Sequence, residues 1–258
     1  MNLPIIDAHI HIDKYESDER EQILRDMSAF NVAALIAVSW DLASSKENKV
    51  LASRFNSIKP AFGVHPEQPL LSDAELTGLL DFISQSQRDM VAIGEVGLPY
   101  YMRRKNPSLD RQPYIEQLEP FIQRANHLDV PIIMHAIYDD APIVCDLLEK
   151  HSVKKAHFHW FKGDKKTMER LMANGYLISI TPDVLYEQEI QDVVAYYPLS
   201  LMMVETDGPW VFEGPFSGEM THPKMIHQAI NKIAAIKNIN RKTVYHKLYE
   251  NTKQFYCI

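Results

Sequence analysis

The chain has 258 residues, of which 46% are hydrophobic, so its length and composition can supply the core of one large domain. Its 27 basic and 34 acidic side chains leave a net charge of −7, which argues against broad, non-specific attraction to nucleic acid but not against a small basic patch. No apolar run approaches the roughly 20 residues that span a bilayer, and no signal peptide is recognisable. The two cysteines, Cys145 and Cys257, fit no metal or redox spacing. We therefore expect a cytoplasmic protein with reduced thiols and no membrane partner.

Apolar runs of strand length alternate with amphipathic segments from one end of the chain to the other. Buried strands are predicted at 5–11, 32–39, 58–64, 91–95, 131–135, 154–159, 176–180 and 201–205. Helices are predicted at 18–30, 42–55, 72–85 (with Ser72 and Glu75 as a capping box), 109–128, 141–150, 164–173, 185–196, 220–236 and 241–255. Since parallel neighbours need long crossovers, this alternation predicts a (β/α)8 TIM barrel, an α/β fold, as a single domain over residues 1–258.

A His-x-His pair stands at the exit of the first predicted strand, in the segment Asp7-Ala8-His9-Ile10-His11. Residues two apart on a strand point to the same face, so His9 and His11 should project together. Neutral imidazole is the commonest metal ligand type. Alone, the pair is as compatible with an incidental arrangement as with a metal site.

The active site of such a barrel lies at the carboxyl ends of its strands. Six of the eight predicted strands end in residues that can ligate a metal: His9 and His11, His65, Glu95, His135, His159 and Asp207. Taken singly, each His is more often a hydrogen-bonded core residue, and an Asp before Gly-Pro can simply organise a turn. Together they would crowd unpaired charges into one barrel mouth, which is costly unless a cation is bound. We therefore predict a metal site there.

The remaining histidines are assigned by their predicted elements. His157 precedes His159 by two residues on the same strand, so it should line the barrel interior below the site. His227 falls on a predicted helix, where a surface position is expected. His222 lies in the loop after the eighth strand, where it can contact a substrate.

Six segments of the chain resemble, in order, those of the TatD family of metal-dependent hydrolases, within the wider amidohydrolase and phosphotriesterase-like group. The matching segments are Asp7-Ala8-His9-Ile10-His11, Gly63-Val64-His65-Pro66, Gly94-Glu95-Val96-Gly97-Leu98, Met134-His135, His159-Trp160-Phe161-Lys162-Gly163 and Glu205-Thr206-Asp207-Gly208-Pro209. The resemblance implies two metal ions, one held by His9, His11 and Asp207 and the other by His135 and His159. It also implies that Glu95 bridges them, and that the chain is a nuclease hydrolysing DNA phosphodiesters or a related phosphoesterase.

The implied arrangement suits hydrolysis by activated water. Two cations roughly 3.5–4 Å apart can stabilise the attacking and leaving oxygens of a displacement. Asp207, a ligand with a second oxygen free, can accept the proton from the water, which makes it a catalytic candidate together with the bridging Glu95. Imidazole ligands favour Zn or Mn, although relatives often use Mg, so the identity of the two divalent ions stays open.

The chain departs from the family pattern around the substrate rather than around the metal. Pro99 stands where members usually have Asp, Ile137 where many carry an Arg, Glu67 where a His is usual, and Thr221-His222-Pro223 in place of Asn-Glu-Pro. The basic residues near the predicted mouth are Arg103, Arg104, Lys105, Lys162 and Lys165, and they can either replace the missing Arg or be ordinary solvated charge. Our candidate substrate contacts are His65, Arg103, Lys162 and His222.

Three functions follow from these patterns. The favoured one is a two-metal phosphodiesterase acting on DNA or another phosphodiester, with no protein partner required. The second is a small-molecule amidohydrolase or lactonase on the same barrel, motivated by the missing Arg, the acidic charge and Glu67. The third is a non-catalytic metal-binding scaffold, against which an intact water-activating carboxylate at Asp207 argues.

Overall fold

The computed structural model describes residues 3–258, and within them eight strands form one parallel sheet in which each strand pairs with the next along the chain. The strands are Ile5–Ile10 (β1), Val32–Ala37 (β2), Ile58–Phe62 (β3), Ala92–Gly97 (β4), Ile132–His135 (β5), Ala156–Phe158 (β6), Leu177–Ile180 (β7) and Met202–Val204 (β8). Every pairing is parallel, with helices between the strands. The chain is therefore a single-domain (β/α)8 TIM barrel, as its sequence predicts.

Ten α-helices lie in the described part of the chain. They are Ser17–Asp26 (α1), Leu42–Arg54 (α2), Asp73–Gln85 (α3), Tyr100–Lys105 (α4), Gln112–Leu128 (α5), Ala141–Lys150 (α6), Lys165–Asn174 (α7), Gln188–Tyr196 (α8), Ile226–Lys237 (α9) and Arg241–Tyr256 (α10). The predicted capping box is confirmed, because Ser72 and Glu75 exchange side chain-to-backbone hydrogen bonds at the start of α3. The short helix α4 occupies a segment that the sequence indicated as loop, and 3₁₀ turns precede α8 and α9 where longer helices were predicted.

The first and last strands meet through bonds that follow the end of β8. The N–H of Asp207 donates to the carbonyl of His9 at 2.9 Å, and the N–H of His11 donates to the carbonyl of Gly208 at 2.8 Å. The buried carboxylate of Asp7 adds two bonds from Thr206, one from its backbone N–H at 3.0 Å and one from its hydroxyl at 2.6 Å. We call this set of hydrogen bonds the seam of the barrel. The seam holds the backbones of His9 and Asp207 next to each other.

Apolar side chains fill both faces of the sheet. One cluster packs the outer face against the helices, and a second fills the barrel interior, where residues alternate along each strand with those of the first. The interior also holds His157, as predicted, whose ring bonds Tyr256 at 2.7 Å and Ser179 at 2.6 Å. Tyr256, at the end of α10, belongs to this interior cluster.

The expected surface position of His227 is wrong. Its ring is buried between the Tyr245 hydroxyl and the Phe30 carbonyl, each at 2.7 Å. The helical pattern places this residue on α9 correctly, but α9 turns that face towards α10. Neither partner could be assigned from local sequence.

The strands approach one another closely near the site. A Cβ atom at Gly97, the last residue of β4, would collide with the backbone carbonyl of His135 on β5, so only glycine fits there. Cys145 is buried and Cys257 exposed, and both are free thiols. No helix within residues 3–258 combines the length and the apolar character that crossing a bilayer requires.

Candidate metal centre

Glu95, at the carboxyl end of β4, is the centre of a cluster of buried imidazoles. Its Oε2 atom lies 3.2 Å from the Nε2 atoms of both His9 and His11. Its Oε1 atom lies 2.7 Å from His135 Nδ1 and 2.7 Å from His159 Nε2. The two oxygens of one carboxylate thus face two separate pairs of histidines, which is the geometry that a bridging ligand needs.

Asp207 completes the half of the cluster that contains the His-x-His pair. Its Oδ1 atom lies 3.2 Å from His9 Nε2 and 3.6 Å from His11 Nε2. The backbone of Asp207 is in the left-handed region, with φ of 52°, and Trp160 beside His159 has φ of 38°. Such strained conformations of residues other than glycine cluster at functional sites, where the surrounding structure holds them.

The separations between the nitrogen and oxygen atoms of the cluster suit the binding of a metal ion better than hydrogen bonding between the side chains. Several of them make no hydrogen bond within residues 3–258, although all are buried: His9 Nε2, His11 Nε2, Glu95 Oε2 and Asp207 Oδ1. Ligands held about 2.1 Å from one ion lie roughly 3–3.5 Å apart, which matches most of these separations. Three groups of donors converge closely enough to hold an ion: His9, His159 and Asp207; His9, His11 and Glu95; and His65, Glu95 and His135. All six predicted metal ligands are therefore brought together.

The histidines and carboxylates of the cluster shift one another's pKa values. Burial opposes ionisation of Glu95, but positive charge on His159 and His9 outweighs it and holds its pKa well below the ordinary value. Burial and His159 oppose protonation of His9, yet Glu95 and Asp207 raise its pKa to about 9. Burial likewise disfavours the charged form of His159, but Glu95 and Glu205 raise its pKa well above the ordinary value. Protons on the imidazoles offset the carboxylates here, and bound cations would take over that role.

His65 lies among the ligand atoms but in a different protonation state. Its Nε2 atom is 3.6 Å from Glu95 Oε1, and its Nδ1 atom accepts the backbone N–H of Glu67 at 3.1 Å. Burial lowers its pKa well below 6.5, so the ring is neutral and carries its proton on Nε2. That N–H suits donation to a substrate oxygen better than metal ligation. The ring is also held by stacking on Trp40, with centroids 4.0 Å apart.

The other predicted substrate contacts differ in position. Arg103 on α4 pairs with Asp140 at 2.7 Å and with Asp139, so its charge is already matched. Lys162 places its ammonium 5.1 Å from the ring centroid of Trp160, beside the exit of β6. His222 directs Nε2 to Asp26 on α1 at 3.6 Å and packs edge-on against Phe30, and neither neighbour belongs to the cluster. The roles of these residues towards a substrate stay predictions.

Glu205 was missed as a residue of the site. It is fully buried, accepts the backbone N–H of Trp160 at 2.7 Å and the hydroxyl of Ser179, and lies 3.6 Å from His159 Nδ1. A carboxylate behind a ligating imidazole orients the ring and fixes its tautomer. The signal was present in the segment Glu205-Thr206-Asp207, where a charged residue ends an apolar strand.

The chain matches known proteins over nearly its whole length. A family model described as TatD related DNase matches residues 6–257. A protein of Haemophilus influenzae described as an uncharacterized metal-dependent hydrolase is 36% identical, covering 98% of this chain and 99% of that protein. Human deoxyribonuclease TATDN3 is 26% identical, covering 98% of this chain and 94% of its own. The crystal structure of YjjV, a TatD homologue from Escherichia coli, superposes with a TM-score of 0.85 at 22% identity and covers 98% of both chains.

Proposed function

Because the chain belongs to the family of TatD-related DNases, which are metal-dependent hydrolases, we propose that it hydrolyses phosphodiester bonds of DNA with two divalent metal ions. The observation that supports this proposal is the position of Glu95, whose two oxygens face two different pairs of histidines. A hydrolase that cleaves a phosphodiester has to balance charge on both the attacking and the leaving oxygen, and two adjacent cations do so.

The six ligands divide into two sets around Glu95. His9, His11 and Asp207 would hold one ion, and His135 and His159 would hold the other, with Glu95 shared between them. The bound ions would supply an acidified water and positive charge beside the scissile phosphate. Four imidazoles in the set favour Zn or Mn over Mg, which prefers oxygen ligands.

The side chains around this centre have distinct roles in the proposal. Asp207 engages His9 and His11 through Oδ1, which leaves Oδ2 to accept the proton of the attacking water. His65 donates its Nε2–H to a phosphate oxygen, because its Nδ1 is already engaged by the backbone. Lys162 adds a cation at the exit of β6, and Glu205 holds the ring of His159 in place.

One observation favours a second candidate, a small-molecule amidohydrolase or lactonase. Arg103 and Arg111 share Asp139 and Asp140, so two of the arginines near α4 offer little free charge to a polyanion. A neutral ester or amide needs no such charge. The two candidates use the same metals and the same Asp207, and differ only in the substrate.

Activity on defined substrates tests the proposal. We expect the purified protein to degrade an end-labelled single-stranded oligonucleotide with Mn²⁺ or Mg²⁺, and EDTA to abolish the cleavage. Asp207→Asn should lose at least about 100-fold in rate, as expected when a general base is removed. His227→Gln, which changes a buried histidine away from the ligands, should keep the rate. Hydrolysis of lactones or amides by metal-loaded protein that leaves oligonucleotides intact would refute the nuclease.

A further inference from the structure

The carboxylate of Glu67 joins a predicted metal ligand to the short helix α4. Both of its oxygens accept backbone N–H groups from the first turn of that helix, Oε1 from Tyr101 at 2.6 Å and Oε2 from Met102 at 2.7 Å. Charge-assisted bonds of this kind are short and strong. Because two of them act on one carboxylate whose side chain is only 12% exposed, its position is well defined.

The same carboxylate has a third neighbour, the ring of His135. Glu67 Oε1 lies 3.5 Å from His135 Nε2, while the Nδ1 atom on the other side of the ring lies 2.7 Å from Glu95 Oε1. Nε2 of His135 is buried and makes no hydrogen bond in the part of the chain that the structure describes, and the Glu67 carboxylate is the charged group that it faces. The ring therefore stands between two carboxylates, one at the centre of the cluster and one at its edge.

The orientation of His135 restricts its tautomer. A neutral imidazole carries one proton, and a ring nitrogen must be unprotonated to ligate a metal. Since Nδ1 faces the centre, the proton of the metal-bound ring has to be on Nε2, where it points at Glu67. A carboxylate that accepts this proton raises the basicity of the ligand and fixes its direction.

We propose that Glu67 is a positioning residue for the second metal ion, accepting the Nε2–H of His135 and thereby tying that ligand to helix α4. The inference rests on the metal centre of the proposed function but not on its substrate. It assigns Glu67 no contact with the reacting atoms. A carboxylate that only capped α4 would leave His135 and its metal affinity unchanged, and this difference makes the proposal testable.

Metal affinity and the Nε2–H proton of His135 are both measured without substrate. Zn²⁺ would be titrated into metal-free protein against a competing chelator, and the Nε2–H groups of the histidines would be followed by ¹H–¹⁵N NMR in the Zn²⁺-loaded form. The variants are Glu67→Ala, which removes the carboxylate, and Glu67→Gln, which keeps an acceptor oxygen and the size of the side chain. Ser72→Ala removes a cap from α3, a helix whose start has no contact with the ligands, and serves as the control.

In both Glu67 variants we expect one of the two binding steps for Zn²⁺ to lose roughly 10- to 100-fold in affinity, with the other step unchanged. In Zn²⁺-loaded protein, the Nε2–H proton of His135 should be protected from exchange with solvent in the wild type and should exchange faster in both Glu67 variants, and Ser72→Ala should change neither signal. Wild-type affinity for both ions together with unchanged exchange of the His135 Nε2–H proton in Glu67→Gln would overturn the proposal, even if Glu67→Ala fails to fold. Absence of nuclease activity in the wild type would refute the proposed function and leave this result intact.

Discussion

The Nε2 atom of His9 lies 3.2 Å from the Oδ1 atom of Asp207, so a predicted ligand on the first strand and one at the exit of the last strand form a pair. The backbones of the same two residues are hydrogen-bonded at 2.9 Å. One half of the candidate metal centre is therefore built on the seam of the barrel. The other half, His135 and His159, lies on β5 and at the exit of β6, and the ring of His159 stacks on that of His9 with centroids 3.9 Å apart.

Replacing His9 should remove one metal ion and leave the other. His9→Ala removes the imidazole that lies beside Asp207. It leaves the contacts of Glu95 with His135 and His159 in place. We expect the metal content, measured by atomic absorption after dialysis, to fall by about one ion per chain. Turnover should fall below detection, while circular dichroism stays that of a folded barrel.

The matched comparison for this experiment is His227→Gln. His227 is as buried as a ligand, yet its ring bonds only Tyr245 and Phe30. Its replacement should leave the metal content unchanged. Full metal content and full activity in His9→Ala would show that this histidine is not a ligand.

Removing the metal should destabilise the folded protein. The centre exists only when the barrel is folded, so each ion present at 100 times its Kd adds about 2.7 kcal/mol to the free energy of unfolding. We expect EDTA to lower the Tm, and Zn²⁺ or Mn²⁺ in excess to restore it. An unchanged Tm after chelation of protein that had contained metal would argue against ligation by this cluster.

His222 should make the protein less stable in acid. Burial and the charge of Lys224 lower the pKa of His222 from 6.5 to about 4, against the opposing effect of Asp26. Between these two pH values the unfolded chain therefore binds a proton that the folded state does not. The neutral ring makes its full contribution to the free energy of unfolding above pH 6.5, and this contribution is lost as the pH falls towards 4. Between pH 7 and pH 5 the loss is roughly 2 kcal/mol.

Urea unfolding of metal-free protein at pH 7 and pH 5 measures this contribution. His222→Asn keeps an acceptor for the N–H of Lys224, which His222 Nδ1 accepts at 3.0 Å, but cannot be protonated. The variant should lose less stability than the wild type between the two pH values, by roughly 2 kcal/mol. Equal losses in the two proteins would show that His222 titrates normally in the folded state.

Lys162 should affect the binding of a polyanion more than its cleavage. If its ammonium meets a phosphate, Lys162→Gln raises KM for a single-stranded oligonucleotide and lowers the slope of log KM against log salt by about 0.7, with kcat nearly unchanged. Lys150, the last residue of α6, lies at the end of its helix remote from the strand exits, and Lys150→Gln is the control. An unchanged salt slope in the Lys162 variant would leave this lysine outside the binding surface.

The strands and their ligands could be predicted because both depend on local sequence. Apolar runs locate β1 to β8, and parallel pairing places every strand exit at one end, so Glu95 and Asp207 had to approach each other in space. No long-range contact was needed for that conclusion. The same reasoning placed His157 inside the barrel.

The substrate side could not be predicted in this way, because its contacts join distant parts of the chain. Helix α4 has six residues, too few to show a helical period, and Glu67 from the loop after β3 caps it. Arg103 seemed a free cation in sequence, yet Asp140 at the start of α6 neutralises it. Glu67 was noticed only as a departure from the family pattern, and its contact with His135 required the structure.

The seam also determines when the centre can form during synthesis. His9 on β1 and His11 directly after it leave the ribosome long before Asp207, which follows β8. Until that last strand docks, the nascent polypeptide presents two imidazoles without their closing carboxylate. A product truncated before β8 would therefore lack Asp207 and the backbone bond that holds it beside His9.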